Sequence, residues 1–307
     1  MTTTCIGEPG MNLSVLYRGP LSSCNYGCHY CPFSKRTETE TQLERDRESI
    51  AKFVARLSSL PHHEWKVLLT PWGEALVRHW YRQGVARLTH VPHVMSVAIQ
   101  TNLSCGLGWL AECRTERLSL WATFHPTETT VGAFVRKVRQ ARDRGVRVSA
   151  GVVGVPEFID EILKLRRSLP EEVYLWINAQ QPRRRPYTPA QEALLTSIDP
   201  QFPLTLHRQK SRGKPCQAGE LSFTVDGRGN MRRCHFVDEV IGDFHAADWE
   251  QALQPRQCPN RFCDCFLGKA QLLNDALLPF FGETLLERLP VVSLPFVELP
   301  LPESSRT

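Results

Sequence analysis

Two periodicities alternate along the first 180 residues. Six short apolar runs read as strands: Ser14–Leu21 (SVLYRGPL), Trp65–Trp72 (WKVLLTPW), Val94–Asn102 (VMSVAIQTN), Leu118–His125 (LSLWATFH), Val146–Gly154 (VRVSAGVVG) and Val173–Gln180 (VYLWINAQ). Each is rich in β-branched or aromatic residues and ends near turn residues or polar helix ends. The segments between them read as helices. In Glu38–Leu60, Ile50, Phe53, Val54 and Leu57 fall at the i, i+3, i+4, i+7 spacing of a core-facing stripe. Thr130–Arg144 places Val131, Phe134, Val135 and Val138 on one face, opposite a basic face that continues to Arg147 and reads as solvated. Glu157–Leu169 follows Pro156, a residue suited to a first helical turn. Six strand–helix repeats imply an α/β fold with parallel strands under covering helices. Periodicity fits an open sheet or a partial barrel. The repeats span about 165 residues, too few for a full eightfold barrel of ~250.

Beyond Gln180 the texture changes. Gln181–Pro215 contains six prolines and the run Arg183–Arg185, and reads as a connector. Glu220–Phe236 reads as a β-hairpin, with LSFTV and NMRRCHF joined through Asp226-Gly227-Arg228-Gly229. A short helix is expected over Ala247–Leu253. An apolar helical stretch followed by loose, proline-rich chain is expected over Phe266–Thr307.

Composition narrows the class. The chain has 307 residues, 42% hydrophobic and 22% charged, which argues against disorder and suggests one large domain with an appendage, or two modest ones. A net charge of +5 falls short of a dedicated nucleic-acid binder. No run reaches the ~18 apolar residues of a membrane span. The opening MTTTCIGEPG lacks the basic and apolar regions of a secretory signal, so a cytoplasmic setting is expected. The unusual count is 11 cysteines. In a reducing compartment such clusters bind metal or do chemistry more often than they form disulfides.

The cysteines fall into groups. Cys24, Cys28 and Cys31 follow the first strand, with three and then two residues between them. Structural zinc wants four closed ligands, whereas three thiolates on a cubane cluster leave one iron open to an exchangeable ligand. In barrel-like α/β folds the loops after the strands build the active site. This C-x3-C-x-aromatic-C loop, with Tyr30 at the aromatic position, resembles the mark of the radical SAM superfamily. The resemblance implies a partial (β/α)6 TIM-like barrel and a [4Fe–4S] cluster held by Cys24, Cys28 and Cys31, with S-adenosylmethionine on the fourth iron. Reduction would then release a 5′-deoxyadenosyl radical that abstracts a substrate hydrogen. Thr70-Pro-Trp-Gly73-Glu74 resembles the family's Gly-Gly-Glu element, which holds the SAM amino group, with Trp72 in place of the first glycine. By the same resemblance Gln100 and Asn102, Thr123 and His125, and Asn178 end strands where SAM or substrate is contacted. Val153, in the segment Val152–Val155, resembles the adenine cover. The segment from Met11 to Cys24 resembles a small, uncharacterised bacterial branch of the superfamily. In that branch the chain begins near Met11, so residues 1–10 are expected to be an over-called start.

Cys216, Cys234, Cys258, Cys263 and Cys265 form the second group. The pattern C-x12-G-x4-C, from Cys216 through Gly229 to Cys234, resembles the opening of a SPASM/twitch extension. Five thiols are too few for two fully ligated clusters, so one auxiliary [4Fe–4S] cluster is expected. Cys216, Cys234, Cys263 and Cys265 are the preferred ligands, with Cys258 as the alternate. Cys5, Cys105 and Cys113 stand apart; Cys105 and Cys113 read as buried thiols.

The expected organisation is a radical SAM partial barrel over 11–182, a connector over 183–215, an auxiliary-cluster domain over 216–266, and a C-terminal helix and tail over 267–307. Only 23 residues precede Cys24, leaving no room for an N-terminal leader-peptide-binding domain. The expected substrate is therefore a small metabolite or a separately delivered peptide. A flavodoxin or ferredoxin is the implied electron donor. The alternative from another class is a zinc-stabilised module that binds nucleic acid or protein without catalysis.

Overall fold

The computed structural model describes residues 10–33, 36–181, 187–272, 277–284 and 286–292. The expectations for residues 1–9, Arg183–Arg185 and 293–307 lie outside these. Strands β1 (Asn12–Arg18), β2 (Glu64–Leu69), β3 (Val94–Thr101), β4 (Leu118–Phe124), β5 (Arg147–Gly154) and β6 (Leu175–Ala179) pair in chain order, all parallel. Helices α1 (Glu40–Ser58), α2 (His79–His90), α3 (Val131–Arg142) and α4 (Ile159–Ser168) connect them. Thr39 and Gln42 begin α1 with a reciprocal capping box. The link from β3 to β4 departs from the repeat. It holds only 3-10 turns, Gly108–Glu112 and Thr115–Arg117, because the short stretch with Gly106 and Gly108 disfavours a regular helix.

The strand pleat sorts residues to two faces. Val15, Tyr17, Trp65, Val67, Leu69, Val97, Ile99, Leu120, Ala122, Val148, Ala150 and Ile177 pack in the large core that includes α1–α4. Leu16, Leu68, Ala98, Trp121 and Trp176 belong to a second core on the opposite, inner face. At Gly151 a β-carbon would stand 2.0 Å from the Trp176 ring, so only glycine leaves room for the indole.

The stretch expected as a connector carries two helices, α5 (Pro189–Ile198) and α6 (Phe202–Leu206), followed by β7 (Gln209–Lys210). Thr188 and Gln191 cap α5 reciprocally, Pro189 sits in its first turn, and Leu195 and Ile198 are buried. Prolines there start helices rather than break them.

The expected hairpin is present as β8 (Ser222–Asp226) and β9 (Asn230–Arg232). It does not stand apart. β8 runs parallel to β1, and β10 (Val240–Asp243) pairs with β9, so one sheet runs β10-β9-β8-β1-β2-β3-β4-β5-β6. The edge of β1 is covered rather than exposed. Phe223, Phe244 and Trp249 pack around Trp65, extending the main core beneath the hairpin. In the turn, Asp226 accepts bonds from the Arg228 and Asn230 amides, and Gly229 takes a φ of 94°. The expected helix over Ala247–Leu253 is a 3-10 turn, Trp249–Ala252.

Beyond β11 (Phe262–Cys263), the C-terminal segment contains α7 (Phe266–Gln271) and α8 (Leu278–Phe281). Leu267, Ala270, Leu277 and Phe281 cover the inner face of the sheet. Ser96 and Ser149 donate to the Glu287 carboxylate and carbonyl. No helix among the described residues is long and apolar enough to cross a membrane.

Because Phe223 ties the hairpin to the main core, Phe223→Ala should cost about 3–5 kcal/mol. Urea unfolding followed by circular dichroism should then show one weakened cooperative transition. A separate early transition of the C-terminal part would show that the hairpin is independent.

Candidate active site

The loop between β1 and α1 carries Cys24, Cys28 and Cys31, and three charged side chains hold its start. The Leu21 amide donates to Asp46, which also accepts from Trp80 Nε1 and the Tyr81 hydroxyl. Glu38 accepts from the Ser22 amide and hydroxyl and from the Ser23 hydroxyl. Arg78 donates to Ser23 Oγ. The Glu74 amide donates to the Ser23 carbonyl at 3.1 Å. At Gly73 a β-carbon would fall 1.8 Å from that same carbonyl oxygen, so the loop approaches closer than any other residue permits.

The thiols face a cavity of about 190 Å³. The same cavity is lined by Tyr30, Gly73, Glu74, Gln100, Asn102, Thr123, His125, Val153 and Asn178. The structure thus brings every candidate of the first cysteine group and its strand-end partners to one place. The pleat explains much of it: Gln100, Thr123, Val153 and Asn178 lie two residues beyond Ala98, Trp121, Gly151 and Trp176, on the inner face. The cavity is also lined by residues that sequence reasoning missed: Tyr26, Phe33 and Trp176. Aromatic composition alone does not separate them from core residues; the period-2 register of β6 is the signal that would have found Trp176.

Trp72 takes the place of a glycine in the resembled element. Its backbone is not in the left-handed region. Its ring lies under the Arg18 guanidinium at 4.1 Å and beside Phe33 at 5.4 Å. Only Gly73 is demanded by space.

Glu74 is buried, and its carboxylate is committed within the protein. Oε1 accepts from the Thr101 hydroxyl at 2.7 Å and the Leu76 amide at 3.1 Å, and Oε2 accepts from the Asn102 amide. Its position braces the ends of β2 and β3 together. Burial pushes its carboxyl up to about 7, against the hydrogen bonds that lower it. Asn102 Nδ2 donates to Asn25 Oδ1 at 3.0 Å and points at Cys24 Sγ at 3.9 Å. The Tyr26 amide points at the same sulfur at 3.5 Å. Lys137, expected on a solvated face, instead donates to the Ser104 and Cys105 carbonyls and steadies the loop after β3. His125 Nδ1 lies 3.2 Å from both Cys28 Sγ and the Tyr30 hydroxyl, and burial lowers its pKa to about 4. It is neutral at pH 7. Cys28, Tyr30 and Val155 form a small apolar cluster with Val153 and Phe158 at their side. Cys105 is buried in the main core and Cys113 packs against it.

The second cysteine group gathers around the C-terminal strands and α7. Cys216 bridges to Leu272, Cys234 follows β9, Cys263 lies in β11 against β7, and Cys265 caps α7. The Gly268 amide donates to Cys265 Sγ at 3.2 Å. A β-carbon at Gly268 would meet Cys263 Sγ at 2.5 Å. Burial and the neighbouring thiols raise Cys234 to about 11 and Cys263 to about 12. Cys216, Cys258 and Cys265 are among those neighbours, so all five thiols share one electrostatic neighbourhood. Among the described residues no three His, Cys, Asp or Glu side chains are close enough to share one metal ion. Half-buried thiols whose ionisation is opposed by burial and by one another are a donor set whose thiolates a cationic iron centre would stabilise, and several irons can reach a wider set than one ion.

No protein-family model and no curated protein matches the chain. Among solved structures it is similar to anSMEcpe with bound AdoMet and Cp18Cys peptide, with a TM-score of 0.53 and 13% identity over 78% of this chain and 79% of that one. It is also similar to anSMEcpe with bound AdoMet, with a TM-score of 0.54 and 12% identity over 78% and 80%. At these identities the likeness is one of fold.

Two outcomes are expected. Gly73→Ala should displace Ser23 and Cys24, cost about 2–3 kcal/mol, and sharply lower iron uptake by the first cysteine group, read from iron content after anaerobic reconstitution. Glu74 contributes stability that is fully present below about pH 4.5, where its carboxyl is protonated in both states, and is lost as pH rises through about 7. Glu74→Gln should therefore flatten the fall in unfolding free energy between pH 4.5 and 7.5, measured by urea titration against the parent chain.

Proposed function

We propose that the chain is a radical SAM enzyme built on a partial (β/α)6 barrel, with one auxiliary cluster in its C-terminal part. The observation that carries this reading is the single cavity onto which three loop thiols and the ends of β2–β6 converge. When bound, a [4Fe–4S] cluster and S-adenosylmethionine would supply a 5′-deoxyadenosyl radical able to take a hydrogen atom from a substrate. Cys24, Cys28 and Cys31 would hold the cluster. The residues of the chain do the remaining work. Gly73 and Glu74 hold the cysteine loop against the strand ends. Asn102 and the Tyr26 amide offer donors to Cys24 sulfur. Tyr30, Val153, Phe33, Trp72 and Trp176 give the cavity apolar walls that exclude water from a reactive species. Gln100, Thr123 and Asn178 offer polar contacts to SAM or substrate.

For the second group, we assign one auxiliary [4Fe–4S] cluster to four of Cys216, Cys234, Cys258, Cys263 and Cys265. The substrate class is a small metabolite or a separately delivered peptide, with a flavodoxin or ferredoxin as electron donor. The peptide and AdoMet bound in anSMEcpe, which shares this fold, support binding of both in a cavity of this kind.

Anaerobic reconstitution tests the assignment. The parent chain should turn brown and hold about eight irons, and a C24A/C28A/C31A chain about four. AdoMet should bind the parent chain and not the triple variant. Colourless protein carrying zinc would contradict the reading.

A further inference from the structure

Among the described residues, two arginines stand beside both cysteine groups with no carboxylate at ion-pair distance. Arg18 ends β1, donates from Nε to the Thr70 carbonyl at 2.9 Å, and spreads its guanidinium over Trp72. The Thr70 hydroxyl in turn meets His235 Nε2 at 3.0 Å, and His235 follows Cys234 directly. Arg288 is 3% exposed and is stacked on Phe266 at 3.6 Å, Trp176 at 4.3 Å and Trp121 at 4.8 Å. Phe266 is the neighbour of Cys265. Both terminal nitrogens of Arg288 share one acceptor, Asn178 Oδ1 at 3.2 Å, and its Nε has no partner among the described residues. Arg288 also takes a φ of 52°, a strained angle for a side chain of its size.

Among the described residues neither arginine has a carboxylate at ion-pair distance. Asp199 acts on Arg288 from further off, but its oxygens are committed to Tyr174, Ile177 and Gln201. Burial lowers both guanidinium pKa values to about 10, so both stay charged at pH 7. Burying an uncompensated cation costs several kcal/mol, which an anion placed between these groups would offset.

We propose that Arg18 and Arg288 form the charge cradle of the auxiliary iron–sulfur cluster and that the pair raises the cluster's reduction potential. This rests on the cluster assignment made above. A cluster held by four thiolates is already negative and gains one further negative charge when it accepts an electron. Fixed positive charge in a low-dielectric setting favours the reduced form more than the oxidised one. The same cations sit behind Trp72 and Asn178, which line the first cavity, so the rival anion is the carboxylate of S-adenosylmethionine.

The test uses the full chain carrying C24A/C28A/C31A, which leaves only the auxiliary cluster. Arg18→Met, Arg288→Met and the charge-keeping Arg18→Lys and Arg288→Lys are each reconstituted. Iron is counted, and the midpoint potential is followed by electron paramagnetic resonance in a mediated titration. Each methionine variant should shift the midpoint to lower potential, the pair together further, and the lysine variants should restore much of it. Loss of iron from the methionine variants with retention in the lysine variants also supports the cradle. An unmoved midpoint with about four irons retained overturns it. So does an unmoved midpoint joined to weaker AdoMet binding in the chain with all its cysteines, which gives the cations to the SAM carboxylate. Should Arg288→Met fail to fold, Arg18→Met decides alone. Absence of iron in the C24A/C28A/C31A parent overturns the cluster assignment itself, a failure distinct from that of the cradle.

Discussion

The carbonyl oxygen of Ser23 occupies the space that a side chain at residue 73 would need. That one close approach sets the position of the cysteine loop. It lets the Glu74 amide reach Ser23, which brings the Glu74 carboxylate to the end of β3 and so fixes Thr101 and Asn102. Asn102 in turn points back at Cys24. Loop, second strand end and third strand end therefore close into a ring of short contacts. Asp46, Glu38 and Arg78 hold the ring from outside. A site whose reacting atoms must be held within fractions of an ångström needs this kind of support.

The sheet supplies the rest by its pleat. The inner face carries a layer of apolar residues, Leu16, Leu68, Ala98, Trp121 and Trp176, and above it a polar layer at the strand ends. The C-terminal segment seals the apolar layer from below. The residues that seal this layer thus lie some 240 positions from the loop that carries the first thiols. The hairpin of β8 and β9 pairs with β1 itself, so the second cysteine group is tied by backbone hydrogen bonds to the strand that presents the first. Two guanidiniums, the half-buried Arg18 and the buried Arg288, stack on aromatic rings beside both groups.

The six parallel strands were legible because they are buried on both faces and read as dense β-branched and aromatic runs. The strand-end residues of the site were legible for a related reason. Polar side chains that interrupt such runs at their C-terminal ends, as at Gln100, Thr123 and Asn178, stand out from the apolar background. The pairing of β8 with β1 was not legible, since parallel pairing between distant segments leaves no local pattern. Helix α5 was hidden by its prolines, although the Thr188–Gln191 capping pair marks its start. Trp72 departs from glycine because its own backbone angle is ordinary; the steric demand falls wholly on Gly73. Arg288 carried no sequence signal, because a single arginine in an apolar tail reads as solvated until its aromatic neighbours are known.

The central claim is that this cavity cleaves S-adenosylmethionine by one-electron reduction. It is tested most directly by incubating the anaerobically reconstituted chain with S-adenosylmethionine and dithionite and measuring 5′-deoxyadenosine. The account predicts that 5′-deoxyadenosine and methionine form in equal amounts, and that neither forms when Cys24, Cys28 and Cys31 are replaced. A reconstituted, iron-loaded chain that forms no 5′-deoxyadenosine would contradict it.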